Sequence, residues 1–260
     1  MSPPNVYFDL TRAFNAASPI ALLASGQAVV FYRIAIVSKD GDWILREQPG
    51  VCERVLTVLE QHGATYRPSA PLDPRWLTGG WSCHFEFRQQ GSRVRCDFVS
   101  RPPRVDLALL EQQFATAEPG DLAVVDRETL IRLKQTQRAK DYAVIPEVAR
   151  QLGPEAELTY SLDPDRLLEL APGHAGGEER EAVRLARSDA QRIEVVVALA
   201  REVDALQQAD RARVTCYLQA AQPYLRAFSR AGLDRMPLRE GHAAALALAE
   251  ELLPEAPWSS

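Results

Sequence analysis

Two segments with a period of two, WSCHFEF (residues 81–87) and RVRCDFVS (93–100), are separated only by RQQGS and constrain the fold most strongly. Alternating apolar and polar residues suit strands with one buried face and one wet face. The short glycine-containing connection suits a hairpin. A hairpin turning at Gln90-Gly91 pairs positions whose numbers sum to 181, which sets His84 opposite Asp97 and Glu86 opposite Arg95. Val94, Cys96 and Phe98 then share one face, and Arg93, Arg95 and Asp97 share the other. An aspartate in mid-strand is disfavoured. Either cross-strand ion pairing or a ligand role would account for it.

The flanking segments mix strand and helix patterns. YFDLTRAFNA (7–16) reads as a short helix and IALLA (20–24) as an apolar strand broken by Ser25-Gly26. QAVVFYRIA then reads as a buried helix and DWILRE (42–47) as a strand. GVCERVLTVLEQHG (50–63) is an amphipathic helix with Val51, Val55, Val58 and Leu59 on one face and Gly63 at its end. Residues 126–152 carry helical spacing interrupted by Pro146. Beyond Gly153 only helix patterns remain, with GPEAEL read as linker and APGHAGGEE as loop. Across 178–230, Leu185, Ala186, Ile193, Val196, Val197, Ala200 and Val203 form one stripe that reads as the tail's own core, and a last helix is predicted over roughly 238–252. The pattern predicts an α+β domain over residues 1–152, a mixed β-sheet flanked by helices, and an all-helical domain over 153–260.

At 260 residues and 46% hydrophobic, the chain can bury one large core or two modest ones. A net charge of −5 excludes a bulk electrostatic grip on nucleic acid, so an anionic partner needs a local basic patch. Arg88, Arg93, Arg95, Arg101 and Arg104 offer one, or else form the outer face of the hairpin. Cys52, Cys83, Cys96 and Cys216 include no CxxC pair and read as free thiols in a reducing compartment. MSPPNVYFDL has no basic region followed by an apolar core, so no signal peptide is expected. Residues 18–37 are about as long as a membrane span, but Ser25-Gly26-Gln27 and Arg33 interrupt them. A cytoplasmic protein with no membrane partner is expected.

Four pieces carry chemistry. The strand–Ser25-Gly26–helix turn lets backbone approach a ligand and offers N–H groups to a phosphate. Asp40 and Asp42 are two apart, so on a strand they share a face. There they either stay solvated or share a hard cation such as Mg²⁺. Asp97 is the mid-strand carboxylate. In LIRLKQTQRAKDYAVI, Lys134, Arg138 and Asp141 fall on one helical face with Lys140 beside them, either as a solvated face or as a grip on a triphosphate.

Taken in order, these pieces resemble the nucleotidyltransferase fold of the polymerase β superfamily, in particular small bacterial members that include abortive-infection toxins. Those have a strand, a Gly-Gly or Gly-Ser turn, a helix and a Lys-Asp-x-Asp-Leu strand, and SGQAVVFYRIAIVSKDGDWIL follows that layout. RCDFV is similar to the family's RIDIL strand, and LIRLKQTQRAKDYAVI to its LIRLKxxxxRxKDxxD. The resemblance covers roughly residues 20–152. It departs from the family at Ser-Gly in the turn, at Gly41 where a β-branched residue is usual, and at Val144 or Ile145 where the last acid would stand.

The resemblance implies that Asp40, Asp42 and Asp97 hold two Mg²⁺ ions, with Asp97 helping to deprotonate an attacking hydroxyl. Ser25 and Gly26 would cradle the nucleotide phosphates, and Lys134, joined by Lys140, would neutralise the triphosphate. The implied activity transfers NMP from an NTP to a hydroxyl on tRNA or another RNA, a protein or a small molecule. A toxin-type role would add an antitoxin protein as partner. The alternative is a nucleotide-binding or protein-interaction module of the same fold without catalysis, or a scaffold for a functional helical tail.

Overall fold

Residues 83–99 pair as their alternation requires, through a turn in which Gln90 (φ 50°) and Gly91 (φ 79°) both adopt the left-handed conformation of a two-residue hairpin. The computed structural model describes residues 5–188 and 190–258. In chain order, helix α1 (Val6–Phe14) leads to strand β1 (Ala21–Ala24), helix α2 (Ser25–Phe31), strand β2 (Asp40–Leu45) and helix α3 (Val51–Gln61). Strand β3 (Thr65–Tyr66), helix α4 (Pro74–Thr78), strands β4 (Cys83–Gln89) and β5 (Ser92–Val99), and helix α5 (Leu107–Thr116) follow. The rest is helical: α6 (Arg127–Lys134), α7 (Ala139–Tyr142), α8 (Ile145–Ala149), α9 (Pro154–Tyr160), α10 (Pro164–Leu170), α11 (Glu181–Arg187), α12 (Arg192–Ala231) and α13 (Leu238–Leu252). The fold class is therefore α+β, a mixed sheet flanked by helices with a long helical C-terminal region.

The sheet order is β1-β2-β5-β4-β3, with β2 and β5 parallel and the other pairs antiparallel. Its apolar face (Trp43, Phe85, Cys96, Phe98) packs against Phe14 of α1, Leu56 and Leu59 of α3, Tyr224 and Phe228 of α12, and Ala245 and Ala249 of α13. Trp43 stacks on Phe98 at 5.3 Å, and Phe14 meets both rings edge-on. Cys83 and Cys96 are free thiols inside this core.

The chain divides into two compact units, 1–125 with 214–260, and 126–213. The predicted boundary near 153 thus falls inside the second unit. GPEAEL is no linker there: it opens α9, with Pro154 in the first turn. Leu158 of α9 is buried with Leu167, Val183 and Val195, while Tyr160 bonds Glu128 and Arg132 of α6. Residues 126–152 form three short helices, broken at residues 135–138 as well as just before Pro146. The predicted tail stripe is rotated, since Val195, Ala198 and Leu199 are buried while Ile193 and Val197 are exposed.

The last segment completes the sheet unit instead of forming a domain of its own. Trp76 and Trp81 donate their indole N–H groups to the carbonyls of Leu253 and Pro254, and the Tyr217 hydroxyl donates to that of Gly79. Among the described residues no helix is long and apolar enough to cross a membrane, and residues 18–37 contain β1, α2 and a loop.

Phe228→Ala removes a fully buried ring from the sheet core and is expected to lower stability by about 3–5 kcal/mol in urea titration, although it lies far from the sheet in sequence. His242 Nδ1 lies 2.7 Å from the Tyr66 hydroxyl, which also accepts the Leu72 N–H. Burial holds the imidazole below its ordinary pKa. The unfolded chain therefore binds this proton more readily. The contribution of His242 is whole above the ordinary histidine range and is lost as pH falls through it. Thermal melts between pH 8 and 5.5 are expected to fall less steeply for His242→Gln than for the unsubstituted chain.

Candidate functional site

The polar face of the sheet carries two cross-strand rows. Pairing sets His84 beside Asp97 and Asp97 beside Asp42, and Arg67, whose N–H bonds the His84 carbonyl, extends this row. The second row runs Thr65, Glu86, Arg95, Asp40. Neighbouring strands are about 4.8 Å apart and same-face residues of one strand about 6.7 Å apart. The register therefore brings Asp40, Asp42 and Asp97 together, and the pairing inferred from residue numbers holds throughout the hairpin.

Cations from the protein interleave with these carboxylates. Arg67 Nη1 donates to Asp97 Oδ1 at 3.0 Å, and Arg95 Nη1 to Asp40 Oδ1 at 3.4 Å. His84 Nδ1 is 2.8 Å from Asp97 Oδ1 but is not aligned for an N–H···O bond, while its Nε2 lies 3.1 Å from Ser82 Oγ. Glu86 pairs with Arg93 at 3.0 Å and lies 3.7 Å from Arg67 Nε. The site carboxylates are partly exposed, Asp40 to 41% and Asp97 to 24% of the side chain. Such pairs contribute little to stability and exchange readily with solvent or ligands.

Three carboxylates on one face fit a hard divalent cation in donor chemistry and in register. With Asp40 turned to Arg95 and Asp97 to Arg67, no three His, Cys, Asp or Glu side chains among the described residues are grouped to hold a metal ion as they stand.

The start of β2 is pinned by residues that the motifs do not include. Buried Gln27 donates to the carbonyls of Ser38 (3.0 Å) and Asp40 (3.4 Å) and accepts from Asn5. The Tyr7 hydroxyl donates to the Lys39 carbonyl at 2.6 Å, and burial pushes its pKa up to about 12. A polar residue inside the apolar helix pattern QAVVF was the only sequence signal for Gln27, and Tyr7 left none. Ala24 pairs with Asp42, so Ser25 and Gly26 follow directly at this end of the sheet. Ser25 adopts φ 49°, a conformation that favours glycine. A Cβ on Gly26 would lie 2.2 Å from Ser38 Oγ, so this glycine permits close approach of the loop leading into Asp40.

Lys134 and Lys140 belong to the second unit. Lys134 is buried, with Nζ 3.7 Å from Asp141, which also accepts from Thr136 Oγ1 and Arg138 Nε at 2.7 Å each. Lys140 is exposed. Of the expected arginine patch, Arg93, Arg95 and Arg101 pair with Glu86, Asp40 and Glu47.

No protein-family model matches the chain, and no curated protein matches it. Among solved structures, JHP933 from Helicobacter pylori is similar over 83% of this chain and 95% of its own, at 13% identity and a TM-score of 0.38. An H. pylori protein provisionally named a nucleotidyltransferase is similar over 80% and 96%, at 13% identity and a TM-score of 0.39. Likenesses this distant carry no weight in the functional reading.

Gly41 yields a direct test of the site's framework. A Cβ there would lie 2.4 Å from the Tyr7 ring and 2.5 Å from that of Trp43. Gly41→Val, which introduces the β-branched residue usual in the family that the sequence resembles, is expected to destabilise the fold by about 1–3 kcal/mol in urea titration.

Proposed function

We propose that the chain is a divalent-cation-dependent nucleotidyltransferase, moving a nucleoside monophosphate from a nucleoside triphosphate to an acceptor hydroxyl. The supporting observation is the parallel register Asp42↔Asp97, with Asp40 on the same face of β2. Asp40, Asp42 and Asp97 are the residues that would hold Mg²⁺. When bound, such ions offset the charge that develops on the attacking and leaving oxygens. Asp97 accepts the acceptor's hydroxyl proton on a carboxylate oxygen. The acceptor oxygen forms its bond to the α-phosphorus as the bond to the bridging oxygen breaks, and pyrophosphate leaves. Gln27 and Tyr7 fix the backbone that presents Asp40 and Asp42, and Ser25 and Gly26 line the approach at the same end of the sheet.

The second reading is a nucleotide-binding module without turnover. It draws on the pairing of Asp40 and Asp97 with arginines of the same face.

The two readings separate when purified protein is incubated with each α-³²P-labelled NTP, Mg²⁺, and RNA and protein extracts. Label transfer is expected, with Asp42→Asn reducing it on the order of 1000-fold, equivalent to about 4 kcal/mol of transition-state stabilisation. The labelled species identifies the acceptor class. Nucleotide binding without transfer in both proteins would establish the module instead.

A further inference from the structure

We infer that Arg67 and Arg95 are the residues that receive the nucleotide's triphosphate, each exchanging a carboxylate of the cluster for phosphate oxygens as the metal–nucleotide binds. This rests on the nucleotidyl-transfer reading and assigns its anion-binding groups.

Both arginines stand in the same two rows as the carboxylates. Their bonds to the cluster are incomplete. Arg95 makes one long contact to Asp40 at 3.4 Å, and its buried Nε has no hydrogen-bond partner. Arg67 is divided between Asp97 at 3.0 Å and Glu86 at 3.7 Å. A guanidinium holds several N–H donors in a planar fork that matches phosphate better than a single carboxylate oxygen. Lys134, the expected triphosphate partner, is already buried against Asp141.

The charge balance gives the mechanism. On this face Asp40, Asp42, Asp97 and Glu86 oppose Arg67, Arg88, Arg93 and Arg95. A divalent cation arriving alone takes the carboxylates and strands the arginines. A triphosphate arriving alone takes the arginines and strands the carboxylates. A metal–triphosphate supplies both charges at once, so every group keeps a partner. Binding of metal and binding of triphosphate are therefore positively coupled through these two side chains, by the same factor in either direction.

The test uses Mn²⁺ followed by electron paramagnetic resonance, and inorganic triphosphate followed by calorimetry, each alone and together. The unsubstituted chain is compared with Arg67→Gln and Arg95→Gln. The exchange predicts opposite effects in each variant: Mn²⁺ alone binds several-fold tighter, and triphosphate in the presence of Mn²⁺ binds about tenfold weaker. Arg95→Lys, which keeps the charge but loses the fork, is expected to fall between and serves if a glutamine variant does not fold. Variants that bind Mn²⁺ and triphosphate as the unsubstituted chain does, or that weaken both, would overturn the exchange while leaving nucleotidyl transfer standing. An unsubstituted chain that binds neither probe would overturn the functional reading and the exchange with it.

Discussion

Asp42 and Asp97 are held side by side because β2 and β5 run parallel in a register that the apolar face dictates. Like charges at that separation repel, and a strand could relieve them by slipping one residue. Slippage would turn either Trp43 of β2 or Cys96 and Phe98 of β5 out of a core where each is fully buried. The apolar face therefore enforces the charge crowding on the polar face. Arg67 and Arg95 then answer it with cations from the same face, in pairs weak enough to be exchanged.

The same coupling explains Gly41. In the resembling family a β-branched residue between two metal-binding aspartates stiffens the strand, and its absence here reads from sequence as a loosening. The structure reports a substitution of one packing solution for another. The Tyr7 and Trp43 rings occupy the volume that the missing side chain would need, and the Tyr7 hydroxyl reaches the Lys39 carbonyl next to Asp40. An aromatic residue from α1 supplies the rigidity that the strand's own residue does not.

Features governed by local period were legible in the sequence. The hairpin register, α3, α13 and the shared face of Asp40 and Asp42 all follow from spacing and turn chemistry. Features governed by long-range packing were not. Arg67 follows a two-residue strand too short to show alternation, and Gln27 acts through the Asn5 amide and backbone carbonyls eleven and thirteen residues away. The division into units was hidden for a similar reason. Tyr160 in α9 bonds α6, and Phe228 packs against a sheet formed by residues before 100, and neither relation leaves a mark in local composition.

The long helix α12 has a consequence for how the protein is made. Its residues up to 213 belong to the second unit and those from 214 to the first. The second unit is one continuous stretch of chain and can close while synthesis continues. The sheet strands emerge before the second unit, yet they lack Tyr224, Phe228 and the α13 residues that cover their apolar face until residue 249 has left the ribosome. During that interval Trp43, Phe85 and Phe98 lie on an incompletely covered surface, the kind that chaperones bind and that aggregates when left exposed. The sheet is thus made before the second unit and finished after it.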